Sequence, residues 1–204
     1  RSTNWFMPLG ICFGAAFSGI GLGFATIRDI ETGFYDRLRM SPVSRRALIV
    51  GPLFTAWTRV GMLCAFVIPI GLLLGARFTS GPLGVLALVV AALGVSTVSV
   101  GWGLGLAFRF GDMRAAAIMQ LTMFVVMYLS TAQMPLPLLQ GWLHAVARFN
   151  PMTNILRLAC QGLVSQSNVD YLSWANTWGG LVAIVSMSTL TLTFARRGLN
   201  KLDK

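Results

Sequence analysis

Five apolar runs decide what this chain can be: residues 5–27, 48–75, 83–108, 115–134 and 174–194. Only one of them carries a charged side chain, Arg59 in the second. An α-helix rises ~1.5 Å per residue, so ~20 mostly apolar residues cross ~30 Å of hydrocarbon. Lipid offers no partner to backbone N–H and C=O groups, and a lone run satisfies them by coiling into a helix. The expectation is an all-α polytopic membrane protein with five transmembrane helices in one transmembrane domain, 1–204. Composition agrees. Charged residues make up 11% of the chain, against about 25% in soluble domains, so lipid is the expected solvent.

The longest polar interval between two long runs is 31–46, with Arg28 and Asp29 just before it. Ile30, Phe34 and Leu38 recur at i, i+4, i+8, while Glu31, Asp36, Arg37 and Arg39 fall elsewhere. That pattern predicts an amphipathic helix over 30–40, too short to span and laid along the interface. Pro42 should stop it, since the residue before a proline is pushed out of the helical region. Ser44 is placed to cap the next helix. Phe34 and Leu38 are the side chains expected to pack this short helix back onto the bundle.

The third run is dense in glycine, with Gly101, Gly103 and Gly105. No strand precedes them, so close helix packing is the reading rather than a nucleotide fingerprint. In the first run, Ala15, Gly19 and Gly23 stand four apart, a spacing that lets helix backbones approach in lipid. Intrachain packing is favoured there over a seam between two copies.

Pro135 and Pro137 end the fourth run. A stretch follows at 135–165 that is neither clearly soluble nor clearly spanning. Leu139, Trp142, Leu143 and Val146 form one stripe, Asn150–Pro151 break the chain, and Ile155, Leu158, Ala159 and Leu163 form a second stripe. Two short helices joined at a proline turn are expected there, as a re-entrant hairpin dipping in from one surface.

Orientation follows from the basic residues, which collect on cytoplasmic loops. With 31–46 inside, the inner segments hold Arg28, Arg37, Arg39, Arg45, Arg46, Arg109, Arg114, Arg196, Arg197, Lys201 and Lys204. The outer ones hold Arg1, Arg77, Arg148 and Arg157. The polar interval and the tail are thus expected in the cytoplasm and the hairpin outside. The net charge of +10 is accounted for at the ends of spans, and no basic stripe for nucleic acid is expected. The chain opens without a Met and enters an apolar run by residue 5, which reads as the later part of a longer protein whose first helix lies upstream.

Several chemistries have no residues to run on. A P-loop needs a lysine after its glycines, and the lysines are Lys201 and Lys204 in the tail. Cys12, Cys64 and Cys160 lie in no metal-binding spacing and read as packing residues. His144 has no ligand set around it, and no catalytic, cofactor-binding or metal site is expected. No Asp or Glu lies well inside a span, which counts against an ion-coupled carrier. Arg59 either snorkels toward the cytoplasmic surface or pairs with Asp29 or Glu31.

These residues also resemble a known family. Glu31-Thr32-Gly33, then Arg37-Leu38, then Ser41-Pro42-Val43-Ser44-Arg45 resemble the E-x-G…R-L…(T/S)-P-V-S-R signature of ABC-2 type transporter permeases, which follows their second spanning helix. Met134-Pro135-Leu136-Pro137, Trp142, and Arg148-Phe149-Asn150-Pro151-Met152-Thr153 look like the family's stretch before its last helix. The bacterial drug-exporter, daunorubicin-resistance-like branch is the most similar. The resemblance implies six spans in the whole protein and a plasma-membrane location. It implies two permease copies, the same or related, and two separate ATP-binding cassette subunits that bind ATP and Mg. In that picture Glu31, Gly33, Phe34, Arg37, Leu38 and Arg39 form the ATPase-coupling helix. Pro135, Trp142, Asn150 and Pro151 belong to the hairpin that closes the exit. The cargo would be lipophilic or amphiphilic: a drug, a lipid or a glycan. An ion-coupled secondary transporter and a membrane scaffold subunit are the other classes that an apolar bundle allows.

Overall fold

The computed structural model describes residues 2–40, 46–76, 81–130, 150–161 and 174–201. Among them are seven helices and no strand: α1 (Ser2–Glu31), α2 (Phe34–Arg39), α3 (Ala47–Leu73), α4 (Pro82–Phe110), α5 (Met113–Tyr128), α6 (Pro151–Cys160) and α7 (Trp174–Lys201). Four of these, α1, α3, α4 and α7, are long and apolar enough to cross a membrane. The fifth expected span appears as the shorter apolar helix α5, whose 16 residues come to ~24 Å. It gives way to a turn at Leu129 and Ser130, and 131–134 lie outside the described residues.

α4 is the centre of the bundle. It packs against α1 on one side and α7 on the other, with α3, α5 and α6 also touching it. A helix that is apolar all round belongs in the interior, and α4 has small residues on the faces that meet α1 and α7. A Cβ added to Gly23 would lie 2.9 Å from the Gly103 Cα, so the α1 and α4 backbones meet there. One added to Gly19 would lie 2.5 Å from the Ser99 Cβ. On the other side Gly101 faces Thr191 and Gly105 faces the Phe194 ring. The glycine-dense run and the small-residue stripe of α1 thus both serve packing within this chain.

α3 hangs more loosely on the bundle. Its inner edge is Ile49, Ala56, Val60, Cys64 and Gly71. A hydrogen bond from Trp57 Nε1 to Thr97 Oγ1, 3.0 Å, fastens it to α4. Phe54, Met62, Phe66, Ile70 and Leu73 point away from the bundle, as suits contact with lipid or another chain. Cys12 and Cys64 are buried and Cys160 half-buried, all free thiols, in keeping with their reading as packing residues.

Candidate functional site: the basic end of the bundle

Charge is sorted along the bundle axis. Arg28 and Glu31 close α1, Arg46 precedes α3, Arg109 ends α4, Arg114 opens α5, and Arg196, Arg197 and Lys201 end α7. The contacts place these termini together. Leu22, Tyr35, Ile49, Leu104, Phe108, Ala195 and Leu199 form one buried cluster drawn from α1, α2, α3, α4 and α7. At the opposite end α6 packs against α7, and Arg157 is the basic residue described there. The described carboxylates Asp29, Glu31, Asp36 and Asp112 all belong to the basic end.

The connection between α1 and α2 is built around Gly33. The Thr32 N–H donates to the Arg28 carbonyl at 2.9 Å and the Gly33 N–H to the Ile30 carbonyl at 3.1 Å. Both acceptors are carbonyls of the last helical turn that would otherwise lack partners. Gly33 has φ +69°, a left-handed conformation that costs an L side chain ~1–2 kcal/mol. Nothing lies within 4 Å of where its Cβ would be, so backbone conformation and not space calls for glycine.

That turn resets the helical phase, and it changes which side chains face in. The coupling helix expected over 30–40 is a six-residue helix, Phe34–Arg39, while Ile30 and Glu31 belong to α1. Tyr35, not Phe34, packs inward. Tyr35 is buried and meets the Phe108 ring edge-on at 5.6 Å. Phe34 is 49% exposed, and Glu31 and Arg37 are exposed beside it. The side chains of Leu38 and Arg39 lie outside the described residues. Burial pushes the Tyr35 phenol above its ordinary value, and the Asp29 carboxylate raises it further. It stays neutral at any physiological pH.

The α4–α5 turn stands beside this element. Gly111, with φ +65°, ends α4 through its N–H to the Ala107 carbonyl at 2.9 Å. Asp112 then caps α5 by accepting from the Arg114 N–H at 3.1 Å. The Ile30 Cγ2 lies 3.7 Å from where a Cβ on Gly111 would stand. Phe110 and Met113 are exposed on this turn. Phe34 and Met40 are exposed as well, where the sequence pattern had Phe34 and Leu38 packing back onto the bundle.

At the opposite end, Asn150 and Pro151 start α6. Asn150 Oδ1 accepts from the Met152 N–H at 3.0 Å, and its Nδ2 donates to the Val126 carbonyl at 2.9 Å. Pro151 sits at the first helical position, where its missing N–H costs nothing. α6 buries Met152, Thr153, Ile155, Leu156, Leu158 and Ala159 and is held to α7 by a Gln161 Nε2 to Thr177 Oγ1 bond of 3.1 Å. Pro135 and Trp142, in the first half of the expected hairpin, lie outside the described residues. Arg59 is exposed in the middle of α3 and, among the described residues, makes no ion pair, so the expected alternatives of Asp29 and Glu31 are not its partners here. Among the described residues no group of three His, Cys, Asp or Glu side chains is placed to hold a metal.

The arrangement defines a class: a multi-pass, all-α membrane protein with a short helix presented at its basic end. The chain belongs to the ABC-2 type transporter family, whose model matches residues 2–164. Among curated relatives, it is 28% identical over 158 residues to "Putative transport permease ycf38" of Porphyra purpurea, covering 74% of this chain and 53% of the relative. It is 26% identical over 196 residues to the protein of the same name from Pyropia yezoensis, covering 90% and 66%. It is 28% identical over 128 residues to "Daunorubicin resistance ABC transporter permease protein DrrB1" of Streptomyces coeruleorubidus, covering 62% and 45%. The chain therefore spans between 45% and 66% of the length of the curated relatives it matches.

Proposed function

We propose that this chain is the membrane-spanning permease of an ATP-driven exporter, and that α2 receives the force of ATP hydrolysis from a separate ATP-binding cassette subunit. The observation that carries this reading is the pinning of Tyr35 onto Phe108. A six-residue helix is too short to hold itself, yet this one has one ring locked in the core and Phe34 and Arg37 turned outward. A push on α2 passes through Tyr35 to α4 and along the continuous backbone to α1. Phe34 would fill an apolar pocket on the ATPase, with Glu31, Arg37 and Arg39 as its charged rim. ATP and Mg belong to that partner, and a second permease copy completes the path.

On this reading the basic end is cytoplasmic, by the bias of arginine toward inner loops. α6, with Asn150 and Pro151 at its start, stands at the exit. The cargo is a lipophilic or amphiphilic molecule, and the membrane is a bacterial plasma membrane.

The test is purification from native membranes in mild detergent, with co-purifying chains identified and ATP hydrolysis measured. A nucleotide-binding subunit in equal amount, with hydrolysis that falls when Phe34→Asp is introduced, supports the proposal. A protein that comes alone and hydrolyses no ATP, under conditions that keep complexes intact, returns the choice to an ion-coupled carrier or a scaffold.

A further inference from the structure

Arg59 has no place in the packing just described. It stands midway along the 27-residue α3, roughly 20 Å from either end at 1.5 Å per residue. Its side chain is exposed on the face that turns away from α1 and α4. Thr55 and Thr58 are exposed with it. Their hydroxyl hydrogens are spent within the helix, on the Gly51 carbonyl at 3.0 Å and the Phe54 carbonyl at 2.9 Å. Their oxygens are left to accept a further hydrogen bond.

A guanidinium at this depth is costly in hydrocarbon and is found facing protein, an ion partner or water. Snorkelling relieves only part of the cost, because mid-bilayer is ~15 Å from the headgroups. An internal counter-ion is not at hand either. Every described carboxylate belongs to the basic end of the bundle, and Arg59 makes no ion pair among the described residues. The charge is thus kept in a span with no described acid to match it, beside two hydroxyls and the exposed Met62 and Phe66, on a face with no neighbour among the described residues. A fixed cation with that setting attracts anions and repels cations.

We propose that the Thr55–Thr58–Arg59 side of α3 lines the water-filled path of the exported molecule, and that Arg59 selects amphiphiles carrying an anionic headgroup. The proposal rests on the exporter reading and adds the substrate charge and the residue that reads it. Hydration of the path makes Arg59 tolerable at rest, and the headgroup replaces that water in transit. With their hydroxyl hydrogens held by the helix, the two threonines can accept from water along the same line but give the headgroup no donor, so Arg59 alone reads its charge.

The experiment separates the path from the pump. The permease complex is reconstituted in phosphatidylcholine vesicles with Cys12, Cys64 and Cys160 replaced by Ala, and with Thr55→Cys or Thr58→Cys added singly. Both variants keep Arg59, so the test does not depend on a change at that position being tolerated. Each is treated with membrane-impermeant thiol reagents, one sulfonate-bearing and one trimethylammonium-bearing. The expected result is labelling of both positions from water, with the anionic reagent faster by about ten-fold. That preference should vanish when Arg59→Gln is added and persist with Arg59→Lys. In the same vesicles dodecyl phosphate should stimulate ATP hydrolysis more than dodecyltrimethylammonium does, and Arg59→Gln should erase the difference. No labelling from water at either position overturns the proposal, since the face is then covered by lipid or protein. A reagent preference that survives Arg59→Gln overturns the role of Arg59. The labelling needs no ATPase, so failure of the exporter reading would appear separately, as absence of nucleotide hydrolysis.

Discussion

The Asn150 side-chain amide donates to the Val126 carbonyl at 2.9 Å, and so joins the end of α5 to the start of α6. Val126 lies in the last turn of α5, where carbonyls lose their helical partners. The Ser130 N–H that would have reached it goes to the Met127 carbonyl instead. The same Asn150 caps α6 through Oδ1. One side chain thus satisfies an orphan acceptor on one helix and an orphan donor on another.

Asn150→Ala should lose both bonds. A cap is worth ~1 kcal/mol, and an unsatisfied carbonyl costs ~1–3 kcal/mol, so a loss of about 2 kcal/mol is expected. Asn150→Ser keeps a capping oxygen but cannot bridge to Val126, and should fall between. Thermal unfolding in detergent, followed by tryptophan fluorescence, reads the order wild type, Ser, Ala. Equal midpoints for Ser and wild type would mean the Val126 bridge contributes nothing.

Gly33 offers a test of coupling by backbone alone. Its φ of +69° disfavours Ala by ~1–2 kcal/mol, and no neighbour would be struck by the added methyl. Gly33→Ala should weaken ATP hydrolysis coupled to transport while leaving membrane insertion intact. Gly33→Asn should be milder, because asparagine tolerates the left-handed region better than other residues. Gly33→Pro should be the most damaging, since it fixes φ near −65° and removes the bond to the Ile30 carbonyl. Normal coupling in the proline variant would remove α2 from the mechanism.

Tyr35 should behave as a packing residue with a hidden phenol. Tyr35→Phe keeps the ring on Phe108 and should be near neutral. Tyr35→Ala opens a cavity, with an expected cost of about 3 kcal/mol, and should uncouple hydrolysis from transport. Its pKa is raised by burial and by Asp29, so the neutral form is the one the fold favours. The stabilisation is complete below the ordinary phenol value of ~10 and is lost as pH rises through the higher folded value. In an alkaline titration read by tyrosinate absorbance, one phenol should ionise late, and that late step should be missing in Tyr35→Phe.

What the sequence made legible was governed by composition and by local chemistry. Apolar length marked four of the spans, and Asn150-Pro151 announced a helix start by its capping chemistry. Apolar length did not mark where helices end. α7 continues past Phe194 through Arg196 and Arg197 to Lys201, because leaving the hydrocarbon does not interrupt hydrogen bonding along a helix. α1 continues to Glu31 for the same reason. The inward role of Tyr35 was hidden because the i, i+4, i+8 pattern from Ile30 assumes an unbroken helix, and the left-handed turn at Gly33 breaks it. The outward face of Phe34 has the same cause. Nothing in the pattern around Arg59 told which side of α3 would be left without a neighbour among the described residues, since that depends on where α1 and α4 pack.

The packing of α1 on α4 can be tested with two glycines one half-turn apart. A Cβ at Gly23 would stand 2.9 Å from the Gly103 Cα and 3.0 Å from the Met119 sulfur. The sulfur belongs to a flexible side chain and can move, but the Gly103 backbone cannot without shifting α4. Gly21 lies on the same helix and nothing stands within 4 Å of its Cβ position. Glycine disfavours a helix by ~1 kcal/mol relative to alanine, so Gly21→Ala should leave stability unchanged or raise it slightly. Gly23→Ala gains the same propensity but forces two backbones apart, at the ~1–3 kcal/mol typical of overpacking. It should therefore lower the unfolding temperature, and Gly23→Leu should lower it further. In lipid no hydrophobic effect drives helix on helix, and close van der Waals contact has to supply the attraction. Separating α1 from α4 should then also loosen the Tyr35–Phe108 contact, because α2 follows α1 directly. If Gly23→Ala and Gly21→Ala unfold at the same temperature, the α1–α4 contact is not held by close backbone approach, and the route from α2 into the bundle must run through Tyr35 alone.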